Sequence, residues 1–179
     1  AILVHPYNDY GIIAGQGTAA LELVRDVDDL DMILAPLGGG GLLGGSAIAA
    51  KGNKPKIKVI GCEPENADDA YRSIHAGHII PVEHPNTIAD GLRTSLGDKT
   101  FPIILQKVDD IVLVSEKDIL AAMKLIFERM KIVIEPSAAV PLGALLGRKL
   151  PPDGGKIGII LSGGNTDLTS FFNSLGDRA

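Results

Sequence analysis

The sequence predicts an α/β fold built on an open, mostly parallel sheet flanked by helices, and three observations carry that expectation. Apolar runs of four to six residues, rich in Val, Ile and Leu, alternate along the chain with longer segments whose apolar residues recur at three and four spacing. The short runs lack polar alternation, as strands covered on both faces do. The 22 glycines gather in short motifs instead of spreading as a low-complexity tract, so they read as positional.

Taken in order, the strand-like runs are Ile2 to His5, Met32 to Ala35, Ile57 to Cys62, Ile111 to Val114 and Lys156 to Leu161. The helical segments are Ile12 to Arg25, Leu42 to Lys51, Ala67 to Ala76, Glu116 to Met130 and Ser137 to Arg148. Ser115-Glu116-Lys117-Asp118 has the spacing of a helix N-cap with an acid in the first turn, and Pro136 suits a first helical turn, where its missing N–H costs nothing. Gly77 to Phe101 has no clean period and contains Pro81 and Pro85, so it reads as a long surface excursion of the kind that often carries function. The stretch Ser174 to Ala179 reads as an ordinary frayed end, and the opening Ala1-Ile2-Leu3-Val4 as a chain that begins in mid-strand.

Composition narrows the classes of function. The 179 residues, 45% hydrophobic and 22% charged, suit one compact domain without internal repeats. A net charge of -5 offers no basic face to a phosphodiester backbone, and 4% aromatic residues leave few platforms for base stacking, so nucleic acid is an unexpected partner. The single Cys62 cannot form an internal disulfide. No run approaches the roughly 18 to 20 apolar residues of a membrane span, and no basic segment leads into an apolar secretory core. A soluble, cytoplasmic chain is expected.

The most informative stretch is Ala35-Pro36-Leu37-Gly38-Gly39-Gly40-Gly41-Leu42, where a buried strand gives way to an amphipathic helix. Bare backbone at that point costs roughly 0.5–1 kcal/mol per glycine relative to alanine. A turn alone needs one or two glycines. Amides converging on an anion, with the positive end of the next helix behind them, account for the rest, and phosphate is the natural occupant. Leu42-Leu43 stands where a Walker loop needs Lys-Ser/Thr, which removes ATP hydrolysis. The dinucleotide fingerprint stays open, because Gly39, Gly41 and Gly44 satisfy its spacing and the acidic Glu63 follows.

Several ordered motifs together resemble the fold type II pyridoxal-phosphate (PLP) enzymes, most closely the branch of serine racemases, serine and threonine dehydratases and threo-3-hydroxyaspartate dehydratases. The motifs are His5-Pro6, Ile13 to Thr18, Gly38 to Leu42, Thr87 to Gly91, Glu135-Pro136-Ser137-Ala138 and Ser162-Gly163-Gly164-Asn165. The resemblance implies a tryptophan synthase β-like PLP fold, incomplete in this chain, in which Gly38, Gly39, Gly40, Gly41 and Leu42 hold the cofactor phosphate. It puts Ser162 opposite the pyridine nitrogen, with Gly163 and Asn165 in the same motif, Gly91 beside the cofactor as backbone, and Glu135 close to the ring. A neutral hydroxyl opposite that nitrogen would leave the cofactor a weaker electron sink than an aspartate would, so loss of a β-hydroxyl competes well with racemisation.

For the acidic run after Cys62, the resemblance implies a divalent cation, Mg2+ or Ca2+ or Mn2+, on the side chains of Glu63 and Asp69 and the carbonyl of Ala67. The plain alternative is a helix start favoured by its dipole. Lys131 falls where relatives carry a lysine near an ATP effector, though an exposed lysine at a helix end is common. A homodimer and a small amino-acid substrate (serine, threonine or 3-hydroxyaspartate) are further implications.

The chain departs from the family pattern in one respect. The Ser-x-Lys-x-Arg-Gly segment bearing the Schiff-base lysine and the Ser-x-Gly-Asn-His segment that grips substrate are both missing. No catalytic residue is therefore expected in this chain, which should be inactive alone and need its N-terminal half and small domain from the same or a partner chain. Two other readings remain: a phosphate- or nucleotide-binding module without covalent chemistry, and a PLP enzyme of β-replacement, as in cysteine synthases.

Overall fold

The computed structural model describes residues 4–150 and 155–176. Four strands, β1 (Met32–Pro36), β2 (Lys58–Pro64), β3 (Asp110–Val114) and β4 (Ile157–Ile159), form one sheet in the order β3-β2-β1-β4. Every pairing is parallel: Met32 lies opposite Lys58 and Ile157, and Ile60 opposite Asp110. β1 is interior and buried throughout. The fold is thus the open α/β layer that the sequence implies.

Seven α-helices cover the sheet: α1 (Tyr10–Asp26), α2 (Gly41–Asn53), α3 (Asp69–Ala76), α4 (Thr100–Lys107), α5 (Glu116–Met130), α6 (Pro136–Leu146) and α7 (Leu168–Gly176), with a 3-10 turn at Asp90–Leu92. Side chains that alternate along each strand feed two cores. Met32, Leu34, Ile60, Cys62, Val112 and Val114 pack with residues of α5, α6 and α7. Ile33, Ala35, Val59 and Ile111 pack on the other face with α1, α2 and Ile104 of α4. Apolar residues at both parities explain why these strands read as continuous runs.

The helix-start signals act as their spacing predicts. The Ser115 hydroxyl accepts the Asp118 amide at 3.2 Å, and Pro136 opens α6. Two helices depart from expectation. α4 begins inside the excursion assigned to Gly77–Phe101, its short apolar stretch Phe101-Pro102-Ile103-Ile104-Leu105 being too brief to show a period. α7 runs through Ser174 to Gly176, where fraying was expected, and is started by Asp167, whose carboxylate accepts the Ser170 amide. The strand expected over Ile2 to His5 falls partly outside the described residues; Val4 and His5 belong to no strand, and Val4 is exposed. No described helix is long and apolar enough to cross a membrane.

Candidate cofactor-binding site

Because the strands are parallel, their carboxyl ends share one edge of the sheet, where open α/β layers place ligands. β1 and β4 are neighbours, so the glycine loop after Pro36 and the turn after Ile159 open side by side. A cleft of about 330 Å³ lies there, lined by Gly38, Gly39, Gly40, Gly41 and Leu42 on one side and by Gly91, Glu135 and Ser162 among others.

The glycine loop is the site's best-defined part. Gly38 to Gly41 are buried, yet the amides of Gly38, Gly39, Gly40, Gly41 and Leu42 donate to no protein acceptor among the described residues. Unpaired buried amides are costly, and here they sit at the N-terminus of the 13-residue α2 with its positive dipole end behind them. Gly40 takes φ +86°, a left-handed conformation that L side chains disfavour. The arrangement is a seat for an anion.

The facing wall comes from the 3-10 turn and the residues just after it, and from α6. Gly91 donates its amide to the Ser137 hydroxyl at 3.1 Å, which fixes Gly91 at the cleft's rim. Ile88 donates to the Glu116 carboxylate and the Arg93 guanidinium to the Thr87 carbonyl, so the whole Thr87–Arg93 loop is pinned. Glu135 caps α6 and lies against Gly163: a Cβ on that glycine would come within 2.9 Å of Glu135 Oε1. Ser162, three residues beyond β4, lines the cleft.

Not every predicted site residue reaches the cleft. Gly163 abuts Glu135 behind the lining, and Asn165 is turned into a neighbouring cavity of about 340 Å³ with Asp90, Pro136 and Phe171, because the 162–167 turn carries it past the mouth of β4. Lys131, an exposed left-handed C-cap of α5, lines neither cavity. Tyr7, Gln16, Thr94 and Ser137 also line the cleft; Gln16 and Ser137 fall within motifs that carry the resemblance but had no role assigned, and Tyr7 and Thr94 fall outside them. Tyr7 had a signal: its ring packs where a Cβ of Gly39 would otherwise be, and its own Cβ and backbone lie 2.9–3.0 Å from where a Cβ of Gly41 would be, so the glycine run is also an aromatic's seat.

The acidic cluster sits one strand over, at the end of β2. Glu63 is fully buried and accepts the Ala70 and Tyr71 amides, one on each oxygen, at 2.9 Å. Asp69 is equally buried, and neither of its oxygens accepts a hydrogen bond. Burial pushes Glu63 up to about 8 and Asp69 up to about 7. The two amides donated to Glu63, and for Asp69 its own amide and the charge of Arg72, only partly oppose this. The Ala67 carbonyl accepts no hydrogen bond among the described residues. Two orphaned carboxylate oxygens, a free carbonyl and a buried glutamate form a donor set suited to a hard cation. The described residues hold no group of three or more His, Cys, Asp and Glu side chains suited to a metal, so the carbonyl is needed to complete the set.

The dinucleotide alternative loses its acid on this geometry. Glu63 is sealed beneath α3 by two amides and cannot reach a ribose, and Gly44 lies within α2 facing Ile103 and Ile104.

Fold and site together define an α/β protein with an anion seat at the carboxyl edge of its sheet. The chain belongs to the pyridoxal-phosphate-dependent enzyme family, whose model matches residues 1–163. It is 53% identical over 175 residues to the serine racemase of Dictyostelium discoideum, covering 94% of this chain and 53% of that protein, whose crystal structure superposes with a TM-score of 0.89. It is 48% identical to the beta-hydroxyaspartate dehydratase of Paracoccus denitrificans, over 92% of this chain and 52% of the relative. The crystal structure of maize serine racemase superposes with a TM-score of 0.91 at 45% identity, covering 98% of this chain and 55% of that one. The chain spans about half the length of the relatives it matches.

Proposed function

We propose that this chain is the phosphate-gripping part of a PLP-dependent enzyme that abstracts the α-proton of a small β-hydroxy amino acid. The outcome is either reprotonation on the opposite face, which racemises serine, or loss of the β-hydroxyl, which yields a keto acid and ammonia from serine, threonine or 3-hydroxyaspartate. The single observation that carries this reading is the row of buried amides without protein acceptors from Gly38 to Leu42, beside the Ser162 hydroxyl.

When bound, PLP supplies the electron sink that weakens the substrate's Cα–H bond. The chain's own residues bind and orient. The amides of Gly38 to Leu42 would hold the phosphate dianion, with the α2 dipole adding to their field. Ser162, at the cleft wall, would offer the pyridine nitrogen a neutral hydroxyl partner, without the charge with which an aspartate would hold that nitrogen protonated. Gly91 is a backbone wall held by Ser137, and Glu135, steadied by the Gly163 turn, bounds the ring's side of the cleft. Gly163 and Asn165 shape the turn that presents Ser162. Glu63, Asp69 and the Ala67 carbonyl would hold Mg2+, Ca2+ or Mn2+.

Among the described residues no lysine lines the cleft, which supports assigning the Schiff-base lysine and the proton-moving serine to the half of the relatives that this chain does not cover. The chain alone is then inactive. The test is to measure pyruvate and D-serine formed from L-serine by this chain with PLP, alone and after joining it to the uncovered half of the Dictyostelium discoideum relative. Turnover only in the joined protein supports the reading, and a joined, folded protein that binds PLP without turning over serine, threonine or 3-hydroxyaspartate refutes it.

A further inference from the structure

The anion seat needs something to aim its amides, and the hydrogen bonds around Gly39 point to a residue outside the cleft. Thr100, the first residue of α4, is completely buried. Its hydroxyl donates to the Gly39 carbonyl at 2.7 Å and accepts the Gly97 amide at 2.9 Å. The Gly97 carbonyl lies farther, at 3.3 Å, so the single hydroxyl proton goes to Gly39.

We propose that Thr100 is a positioning residue that sets the direction of the Gly40 amide; this rests on the phosphate reading above. The reason is the geometry of the peptide group. A trans peptide is planar, with its C=O and N–H pointing in opposite directions. Once the Gly39 carbonyl is drawn to Thr100, the Gly40 N–H of the same peptide must point the other way. Thr100 is not among the lining residues and Gly40 is, so that other way is toward the cleft. Glycine at both ends leaves this peptide free to flip, and the turn at Gly40, with φ +86°, has no side chain to lock it. An external anchor is therefore required.

Thr100 is itself well anchored. The turn Gly97 to Thr100 is closed by the Phe101 amide on the Gly97 carbonyl at 2.9 Å. Asn8 grips its outer side, accepting the Lys99 amide at 2.9 Å and donating to Asp98 at 2.6 Å. A Cβ on Gly40 would meet Thr100 Cβ and Oγ1 at 3.0 Å, so the Thr100 side chain lies directly against the Gly40 backbone. A hydroxyl on a rigid base, bonded to one carbonyl of an otherwise unrestrained glycine peptide, fixes an orientation that the loop's own sequence does not specify.

The experiment compares the full chain with Thr100→Val, which keeps the shape and removes the hydroxyl, and Thr100→Ser, which keeps the hydroxyl. Calorimetry gives dissociation constants for pyridoxine 5'-phosphate, for pyridoxine and for inorganic phosphate; none carries the aldehyde, so no covalent bond to lysine intrudes. Misdirecting one charge-assisted donor weakens binding of the two phosphate-bearing probes about ten-fold or more in Thr100→Val, leaves pyridoxine within about two-fold, and is largely restored in Thr100→Ser. The ratio of the two pyridoxine probes within one variant cancels any change in folded fraction. A ratio in Thr100→Val equal to that of the unaltered chain overturns the role of Thr100 alone. No preference for the phosphorylated probe in the unaltered chain overturns the phosphate reading and this inference with it.

Discussion

Replacing Gly40 by alanine probes the anion seat most directly. At φ +86° an L residue costs about 1–2 kcal/mol. The new Cβ would lie 2.9 Å from Leu96 Cδ2 and 3.0 Å from Thr100 Cβ and Oγ1. Leu96 has a flexible end that can yield, but Thr100 is held by Gly39 and Gly97, so crowding adds about 1–3 kcal/mol. The total, about 2–5 kcal/mol, lowers the melting temperature by roughly 10 °C, since each kcal/mol shifts a chain of this size by about 2–4 °C. Relief of the strain turns the peptide and misdirects at least one amide, which weakens PLP binding at least ten-fold at about 1.5 kcal/mol or more per charge-assisted bond. Gly52→Ala is the matched control: that glycine lies in α2 with open space around its Cβ position, and alanine there stabilises by up to about 0.5–1 kcal/mol. Differential scanning fluorimetry and PLP titration read the two effects separately. A folded Gly40→Ala chain that binds PLP as tightly as the unaltered one refutes the assignment of this loop to the phosphate.

Three further outcomes are expected. In EDTA, stability falls as pH rises from about 4 to 8: the native Asp69 and Glu63, pushed up to about 7 and about 8, hold protons that the unfolded chain has already released, so the native state loses ground until both have ionised. Magnesium flattens that slope by compensating the ionised carboxylates, and chemical denaturation at several pH values with and without Mg2+ checks both statements; a flat profile in EDTA contradicts them. Asp69→Asn removes the buried charge, so its melting temperature in EDTA at pH 8 exceeds that of the unaltered chain while its response to Mg2+ disappears, as thermal scans would register. Ser162→Asp in the catalytically complete protein gives the pyridine nitrogen a charged partner and shifts products from keto acid toward D-serine, measured by separate assays of pyruvate and D-serine; an unchanged ratio speaks against Ser162 as that partner.

Much of the architecture was legible because the strands carry apolar residues on both faces and the helices on one. The helix Glu116–Met130 was readable to the residue because Ser115 and Asp118 mark its start and Lys131 closes it in a left-handed turn. α4 stayed hidden because a helix of eight residues, only two of them buried, leaves little periodic trace. The glycine loop announced itself through its composition, whereas Thr94 and Ser137 did not: they meet it only after the 87–94 loop folds over β1 and α6 docks behind, contacts of long sequence separation that no local pattern encodes. That Asn165 lines the neighbouring cavity was illegible for the complementary reason, since a motif's spacing says nothing about which way the chain leaves a strand.

The position of β4 has a consequence for handling the isolated chain. It flanks β1 on one side, and no described strand joins its other side. Its residues, Ile157-Gly158-Ile159 followed by Ile160 and Leu161, are apolar apart from one glycine, and only Lys156 at the entry is of the kind with which natural sheets blunt a rim. Wherever such a rim is left bare it is a template for further strands, which a longer enzyme would supply to extend the sheet and a concentrated solution would supply from other copies. Handling this chain alone would then be a solubility problem first and an enzymological one second.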